Sequence, residues 1–207
     1  MAADILVLYF SRHGMTEALA REVMAGIDRT PGATAKLRTV PPVSADTSAT
    51  LDEIPEAGPP YASLDDLRSC AGLVLGAPTH FGNMPAAMKH FWDGTTELWL
   101  AGALVDKPAG LFTSTGSLHG GQETTLLTMA IPLLHHGMLI TGLPYTEGEL
   151  TTTRTGGTPY GASHVSFNRG PGDSLSDEER MLAAALGQRV ARTALRLAGQ
   201  AVGQAVG

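Results

Sequence analysis

The chain has 207 residues, with 14 Lys and Arg against 20 Asp and Glu, a formal net charge of −6 and 43% hydrophobic residues. This describes one generous globular domain with a sizeable core, and an acidic balance without basic runs argues against nucleic acid or an anionic membrane surface as the main partner. The single cysteine, Cys70, excludes an internal disulfide framework and a multi-cysteine metal site, as befits a cytosolic protein.

The first apolar run, Ile5 to Phe10, follows Asp4 with no basic start, so no export signal is expected. It is continuous rather than alternating, as a central parallel strand covered on both faces reads. Ser11 to Thr16 makes a polar turn, and Leu19, Val23 and Ile27, spaced four apart, mark one face of a helix over Glu17–Ile27. Ala35 to Val40 is a weaker strand nearer an edge. Pro41 to Ser63, with five prolines, is a long loop, and Asp65, Asp66 and Leu67 begin a short helical segment.

Ala71 to Gly76 is a third strand, Ala77 to Asn83 a turn, and Met84 to Leu98 a helix. Gly110 to Phe112 is a fourth strand that leads into a polar, glycine-rich loop, Thr113 to Gly121. Gln122 to Leu134 is a helix that Pro132 kinks or ends, and Met138 to Thr141 is a fifth strand. The apolar stretch Leu126 to Pro144 is broken by Pro132, His135, His136 and Gly137, so it belongs in a core rather than a membrane. Thr151 to Gly172, with five glycines and two prolines, reads as a second long loop. Ser176 and Glu179 fit a capping box before a helix whose face carries Leu182, Leu186, Val190, Ala194 and Leu197. Residues 199–207 are expected to fray.

About five alternations of strand and helix predict an α/β fold with a doubly wound five-stranded parallel sheet and helices on both faces. Ligands in such sheets sit at the carboxyl ends of strands near the switch point, which selects the loops after strands one, three and four. The first, Ser11-Arg12-His13-Gly14-Met15-Thr16, offers helix N-terminal amides, two hydroxyls and a glycine that allows close wrapping: a phosphate cradle that needs no lysine. It lacks both the three-glycine dinucleotide fingerprint and the Gly-Lys-Ser/Thr ending of a P-loop. The plainer alternative is that Ser11 caps the helix. The second loop, Pro78-Thr79-His80-Phe81-Gly82-Asn83-Met84-Pro85, supplies an aromatic face and edge groups for a planar heterocycle, unless Phe81 merely covers the sheet end. The third, Ser114-Thr115-Gly116-Ser117-Leu118-His119-Gly120-Gly121-Gln122-Glu123, lines up hydroxyls and amides for the polar edge of the same heterocycle.

With these segments the sequence resembles the WrbA-type NAD(P)H:quinone oxidoreductases, flavodoxin-like proteins that bind FMN, over nearly the whole chain. The specific segments are Pro78-Thr79-His80-Phe81-Gly82-Asn83-Met84, Gly94 to Gly102 with Leu98-Trp99, Ser114-Thr115-Gly116, Gly120-Gly121-Gln122-Glu123, His135-His136-Gly137-Met138 and Gly156-Gly157-Thr158-Pro159-Tyr160-Gly161-Ala162. The resemblance implies one flavodoxin-like, three-layer αβα domain over 1–198. It implies FMN with its phosphate on Ser11 to Thr16, its ring against Thr79, His80, Phe81, Gly82 and Asn83, and its other polar edge along Ser114 to His119. His135 would contact the flavin while His136 faces the core. His13, Phe81, Trp99 and Tyr145 would shape the substrate pocket. Trp99 and Tyr145 would come from a neighbouring subunit of a homotetramer, with the loops 41–63 and 151–172 at the interface.

The reaction that this implies is ping-pong: NADH or NADPH gives a hydride to flavin N5 and leaves, then a quinone takes both electrons and leaves as hydroquinone. His135 or His119 would donate a hydrogen bond or proton to a quinone oxygen. Residues 78–83 and 114–121 contain no Asp or Glu, which favours two-electron chemistry because a carboxylate beside the reduced ring would oppose its negative charge. The competing readings are a one-electron carrier for a protein partner and a scaffold that has kept the fold. No metal is expected, since adjacent histidines on a helix point to different faces, and Cys70 reads as a small buried hydrophobe.

Overall fold

The computed structural model describes residues 2–43, 58–166 and 174–204, with side chains through residue 199. Strand β1 (Ala3–Tyr9) is followed by helix α1 (Met15–Asp28) and strand β2 (Ala33–Thr39). Helix α2 (Leu64–Ser69) leads to β3 (Gly72–Pro78), and α3 (Ala86–Asp93) and α4 (Thr96–Leu100) precede β4 (Pro108–Thr115). Then come α5 (Gln122–His135), β5 (Leu139–Ile140), α6 (Glu149–Thr152), β6 (Ala162–Val165) and α7 (Asp177–Gln204). All pairings in the sheet are parallel, in the order β2-β1-β3-β4-β5, with β6 also on β4.

Residues Ile5 to Leu8 of β1 are fully buried because each face of the strand has its own core. Leu6 and Leu8 pack with Leu73, Leu75, Leu111 and Met129 on the α3–α5 side. Ile5 and Val7 pack with Val23, Ile27, Leu186 and Val190 on the α1–α7 side. The two helices of that second layer touch backbone to backbone at two glycines. A Cβ on Gly26 would lie 2.0 Å from the Ala184 carbonyl oxygen, and one on Gly187 would lie 2.2 Å from that of Val23.

The fifth place in the sheet is shared by two segments. Strand β5 pairs the foot of β4 (Pro108 with Leu139, Ala109 with Ile140), and β6 pairs its upper half, from Phe112 with Ala162 to Thr115 with Val165. Residues 141–161 run between them. The sheet thus has six strands rather than the expected five, and β6 lies inside the stretch 151–172 that reads as loop. Its sequence, Ala162-Ser163-His164-Val165, carries buried polar groups satisfied from elsewhere. Ser163 Oγ accepts from Gln122 Nε2 at 3.2 Å and Gly157 N at 2.8 Å, and His164 Nδ1 lies 2.8 Å from Glu179 Oε2.

The expected single helix over Met84–Leu98 is two, because Gly94 and Thr95 turn their N–H groups back onto the Phe91 and Trp92 carbonyls, each at 3.1 Å. Pro132 does not end α5. It forfeits one N–H near the C-terminus, and its own carbonyl still accepts from His136 at 3.1 Å. Helix α7 continues through Gln204, past the point where fraying is expected. Residues 44–57 and 167–172 of the two expected loops, and 205–207 of the tail, lie outside the described residues. Among the described residues no helix is long and apolar enough to cross a membrane.

Candidate functional site

The first loop leaves the end of β1 and enters α1 through Gly14, a left-handed N-cap at φ 90° that offers no side-chain oxygen. Ser11 does not cap the helix. Its Oγ instead accepts the Gly14 N–H at 3.1 Å and closes the turn before it. The N–H groups of Met15, Thr16 and Glu17 start the helix without intrahelical partners, a ready anion site reinforced by the helix dipole. Arg12, His13 and Gly14 are exposed, whereas Thr16 is buried and its Oγ1 meets Ser114 Oγ at 2.8 Å.

The second loop folds back after β3. His80 donates its N–H to the Asn83 carbonyl at 2.8 Å and Asn83 returns one to His80 at 3.0 Å. Between them Phe81 (φ 52°) and Gly82 (φ 76°) both have positive φ, the signature of a type I′ turn. The base of the turn is pinned. Thr79 N–H donates to the Ser114 carbonyl at 2.8 Å, Thr125 Oγ1 donates to Thr79 Oγ1 at 3.1 Å, and Thr128 Oγ1 to the Gly82 carbonyl at 3.0 Å. Phe81 itself, at 107% exposure, does not cover the sheet end; its ring stands in solvent on a rigid mount.

The third loop continues β4. Thr115 Oγ1 and Gly120 N–H both donate to the Ser117 carbonyl at 3.2 Å, while Gly116, Ser117, Leu118 and His119 remain exposed. Gly121, left-handed at φ 99°, is the N-cap of α5 and again provides no side-chain cap. A Cβ there would lie 3.2 Å from Gly82 Cα and 3.3 Å from Thr79 Cγ2, so the second and third loops touch. Two helices therefore begin at this edge with bare N–H groups. Hydroxyls, histidines and an exposed aromatic surround them, and residues 78–83 and 114–121 bring no carboxylate. That donor set fits a phosphate at α1 and an electron-rich heterocycle edge beside α5, which is what FMN presents.

The structure brings 11–16, 79–83 and 114–119 together and leaves the other candidates elsewhere. Helix α5 carries His135 about 20 Å along its axis from Gly121, at 1.5 Å per residue. There His135 and Trp99 line a cavity of about 250 Å³ with Trp92, Thr95 and His136. Tyr145 does not line that cavity and is exposed in the 141–161 segment. His136 does turn inward, with Nε2 at 2.9 Å from Thr95 Oγ1; burial, and then His135 beside it, push its pKa down.

One buried pair went unread in the sequence. His164 stands in register with Ser114 across β6 and β4, and its partner Glu179 also accepts N–H groups from Gly156 (2.8 Å), Ser176 (2.9 Å) and Val165 (3.2 Å). Burial works to raise the Glu179 pKa, but the His164 hydrogen bond and these amides outweigh it and hold the carboxyl below its ordinary value. The capping-box spacing of Ser176 and Glu179 was the visible signal, but it announces a helix start and not a hub beneath the third loop. A second unread feature is a stripe of exposed apolar residues on α5, Leu127, Ile131 and Leu134.

The family model described as NADPH-dependent FMN reductase matches residues 4–146. Among curated proteins the chain is 42% identical to an NAD(P)H dehydrogenase (quinone) of Gluconacetobacter diazotrophicus, over 93% of this chain and 98% of the relative. It is 39% identical to one from Solidesulfovibrio magneticus (94% and 98%) and 41% identical to one from Geobacter sulfurreducens (95% and 100%). Among solved structures, a flavodoxin, WrbA-like protein from Agrobacterium tumefaciens superposes with a TM-score of 0.68 at 23% identity, over 94% of this chain and 99% of that one. An archaeal flavodoxin gives 0.60 at 17%, over 92% and 98%. These two share the fold.

Proposed function

The chain belongs to the NADPH-dependent FMN reductase family, and from that membership we propose that it is an enzyme that reduces quinones to hydroquinones with FMN, at the expense of NADH or NADPH. The observation that carries this reading is the meeting of three strand-end loops at two helix N-termini without side-chain caps, locked by the Thr16–Ser114 bond, with no carboxylate in residues 78–83 and 114–121.

Ser11, Arg12, His13, Gly14, Met15 and Thr16 would hold the FMN phosphate. Thr79 to Asn83 and Ser114 to His119 would hold the ring along two edges. FMN supplies a two-electron centre that takes reducing equivalents from a nicotinamide and yields them to a quinone. The protein's part is placement and charge. Phe81 offers its exposed face for offset stacking with a flat substrate, worth about 0.5–1.5 kcal/mol, and His13 would face the nicotinamide. His119, exposed on the third loop, would hand a hydrogen bond or proton to a quinone oxygen.

His135, Trp99 and Tyr145 serve the same chemistry only if another copy brings them to these loops, because α5 carries His135 too far along the same chain. The exposed stripe Leu127, Ile131 and Leu134, with Trp99 and Leu100 also exposed, supports a homotetramer in which a second copy covers this face. The loops 41–63 and 151–172 would join that interface around a single domain over 1–198. The lone cysteine and acidic composition support a cytoplasmic location.

The test is to purify the protein, measure bound flavin absorbance, and follow NADH and NADPH oxidation with and without benzoquinone, with light scattering for mass. Rapid, quinone-dependent oxidation by an FMN-loaded tetramer is expected. Oxidation that feeds a one-electron acceptor protein but not benzoquinone would replace the reading with an electron carrier. Failure to retain added FMN would leave a scaffold.

A further inference from the structure

The far end of α5 holds a buried connection outside the three cofactor loops. Thr95 sits buried at the corner between α3 and α4, with its hydroxyl 2.7 Å from the Trp92 carbonyl and 2.9 Å from His136 Nε2. A hydroxyl has one proton, and a carbonyl can only accept. With the Thr95 proton directed to the Trp92 carbonyl, His136 Nε2 carries the hydrogen that it donates to Thr95 Oγ1. In that arrangement His136 is the neutral Nε2–H tautomer with a lone pair on Nδ1.

Among the described residues two buried side-chain polar atoms lack a partner, the Trp92 indole N–H and His136 Nδ1. Both belong to this cluster. One is a donor and the other, in this tautomer, an acceptor, on rings 5.5 Å apart at 62°. A proton on Nδ1 would turn it into a second buried donor facing no acceptor, so the surroundings hold the ring neutral.

Thr95 and His136 are 41 positions apart, and each adjoins a pocket residue. Trp99 donates its N–H to the Thr95 carbonyl at 3.1 Å, and His135 immediately precedes His136. All four line the 250 Å³ cavity. We propose that the Thr95–His136 bond is a positioning staple: it fixes the last turn of α5 against the α3–α4 corner and so sets the spacing of Trp99 and His135, the pair that a second copy brings over the quinone at the cofactor loops. The pocket role rests on the quinone-reductase reading above. His136 acts here without exchanging its proton.

Thr95→Val keeps the shape and removes the hydroxyl, and Thr95→Ser restores it. In the FMN-loaded protein, Thr95→Val should raise the quinone KM about five- to tenfold with kcat changed by less than about twofold, and Thr95→Ser should return both to wild type. Nitrogen-15 spectra of the wild type at neutral pH should show His136 neutral, with the hydrogen on Nε2, and Thr95→Val should lose that tautomer. An unchanged quinone KM in folded Thr95→Val overturns the staple. So does a wild-type His136 that carries its hydrogen on Nδ1 or titrates near about pH 6.5. If the wild type reduces no quinone, the functional reading falls while the same spectra still decide the staple.

Discussion

Thr16 and Ser114 stand 98 positions apart, yet their hydroxyls meet at 2.8 Å where the first turn of α1 abuts the end of β4. Thr16 is 1% exposed, so this bond forms the floor between the phosphate-cradling turn and the loop along the ring edge. A ligand that spans both loops gains from having their separation set in advance. Thr16→Val removes the bond and keeps the shape. Its FMN affinity should drop about tenfold, equivalent to about 1.4 kcal/mol, somewhat more than the loss of one buried neutral hydrogen bond in folding. Titrating apoprotein into FMN and following flavin fluorescence measures this, and an unaltered Kd would remove the bond from the site.

Phe81 occupies the left-handed region at φ 52° although it has a bulky side chain, at the first central position of a type I′ turn. Such a conformation costs an L-residue about 1–2 kcal/mol, and Asn before Gly is the pair this turn favours. With the ring fully in solvent, no packing repays the cost in the free protein. Phe81→Asn should therefore raise the stability of the apoprotein by about 1 kcal/mol while turnover with NAD(P)H and quinone falls, a trade of function against stability. Thermal melts paired with steady-state rates check both halves. A variant that is less stable than the wild type would mean the strain is not there.

Continuous hydrophobicity made β1 legible, because a run without period reports burial on both faces, and Leu6 and Val7 do face opposite cores. The three loops were legible for a related reason: a polar, glycine-bearing turn directly after a buried strand has only the sheet edge to occupy. Strand β6 was not, because Ser163 and His164 are buried at the expense of partners far along the chain, Gln122 and Glu179, which no local pattern reveals. Nor did the His135-His136 pair disclose its place. That one is exposed and the other buried followed from helix geometry, but the distance from the cofactor loops followed only from the direction of α5, which starts at the edge where those loops meet and ends away from it.

Glu179 predicts how stability responds to acid. His164 Nδ1 and the N–H groups of Ser176, Gly156 and Val165 all aim at its two oxygens, and together they overcome burial and lower its pKa. A carboxyl depressed on folding stabilises the protein fully above the unfolded value, about 4.3, and loses that contribution as pH falls through the folded one. Glu179→Gln should cost about 2–3 kcal/mol at neutral pH, since an amide turns an NH₂ toward donors that need an acceptor. Its urea-unfolding free energy should also decline less steeply than that of wild type below about pH 4.3. Parallel pH profiles for the two proteins would show that some other carboxyl governs the acid limb.

Gly187 should be the least replaceable position on α7. Alanine is the better helix former by about 1 kcal/mol, which by itself would favour Gly187→Ala. The new Cβ, however, would sit 2.2 Å from the Val23 carbonyl oxygen and 3.2 Å from Ile27 Cγ1. A backbone oxygen has no rotamer to move into, so α1 and α7 must separate, which loosens the contacts of Val23, Ile27, Leu186 and Val190 along the whole layer. Overpacking of this kind costs about 1–3 kcal/mol or more, and here it should exceed the propensity gain and leave a net loss of about 2 kcal/mol. Gly199, on the same helix with nothing within 4 Å of its would-be Cβ, is the matched control. Gly199→Ala should gain up to about 1 kcal/mol. Urea denaturation of both variants settles the comparison: if Gly187→Ala matches Gly199→Ala, the close approach of the two helices is not what the glycine is for.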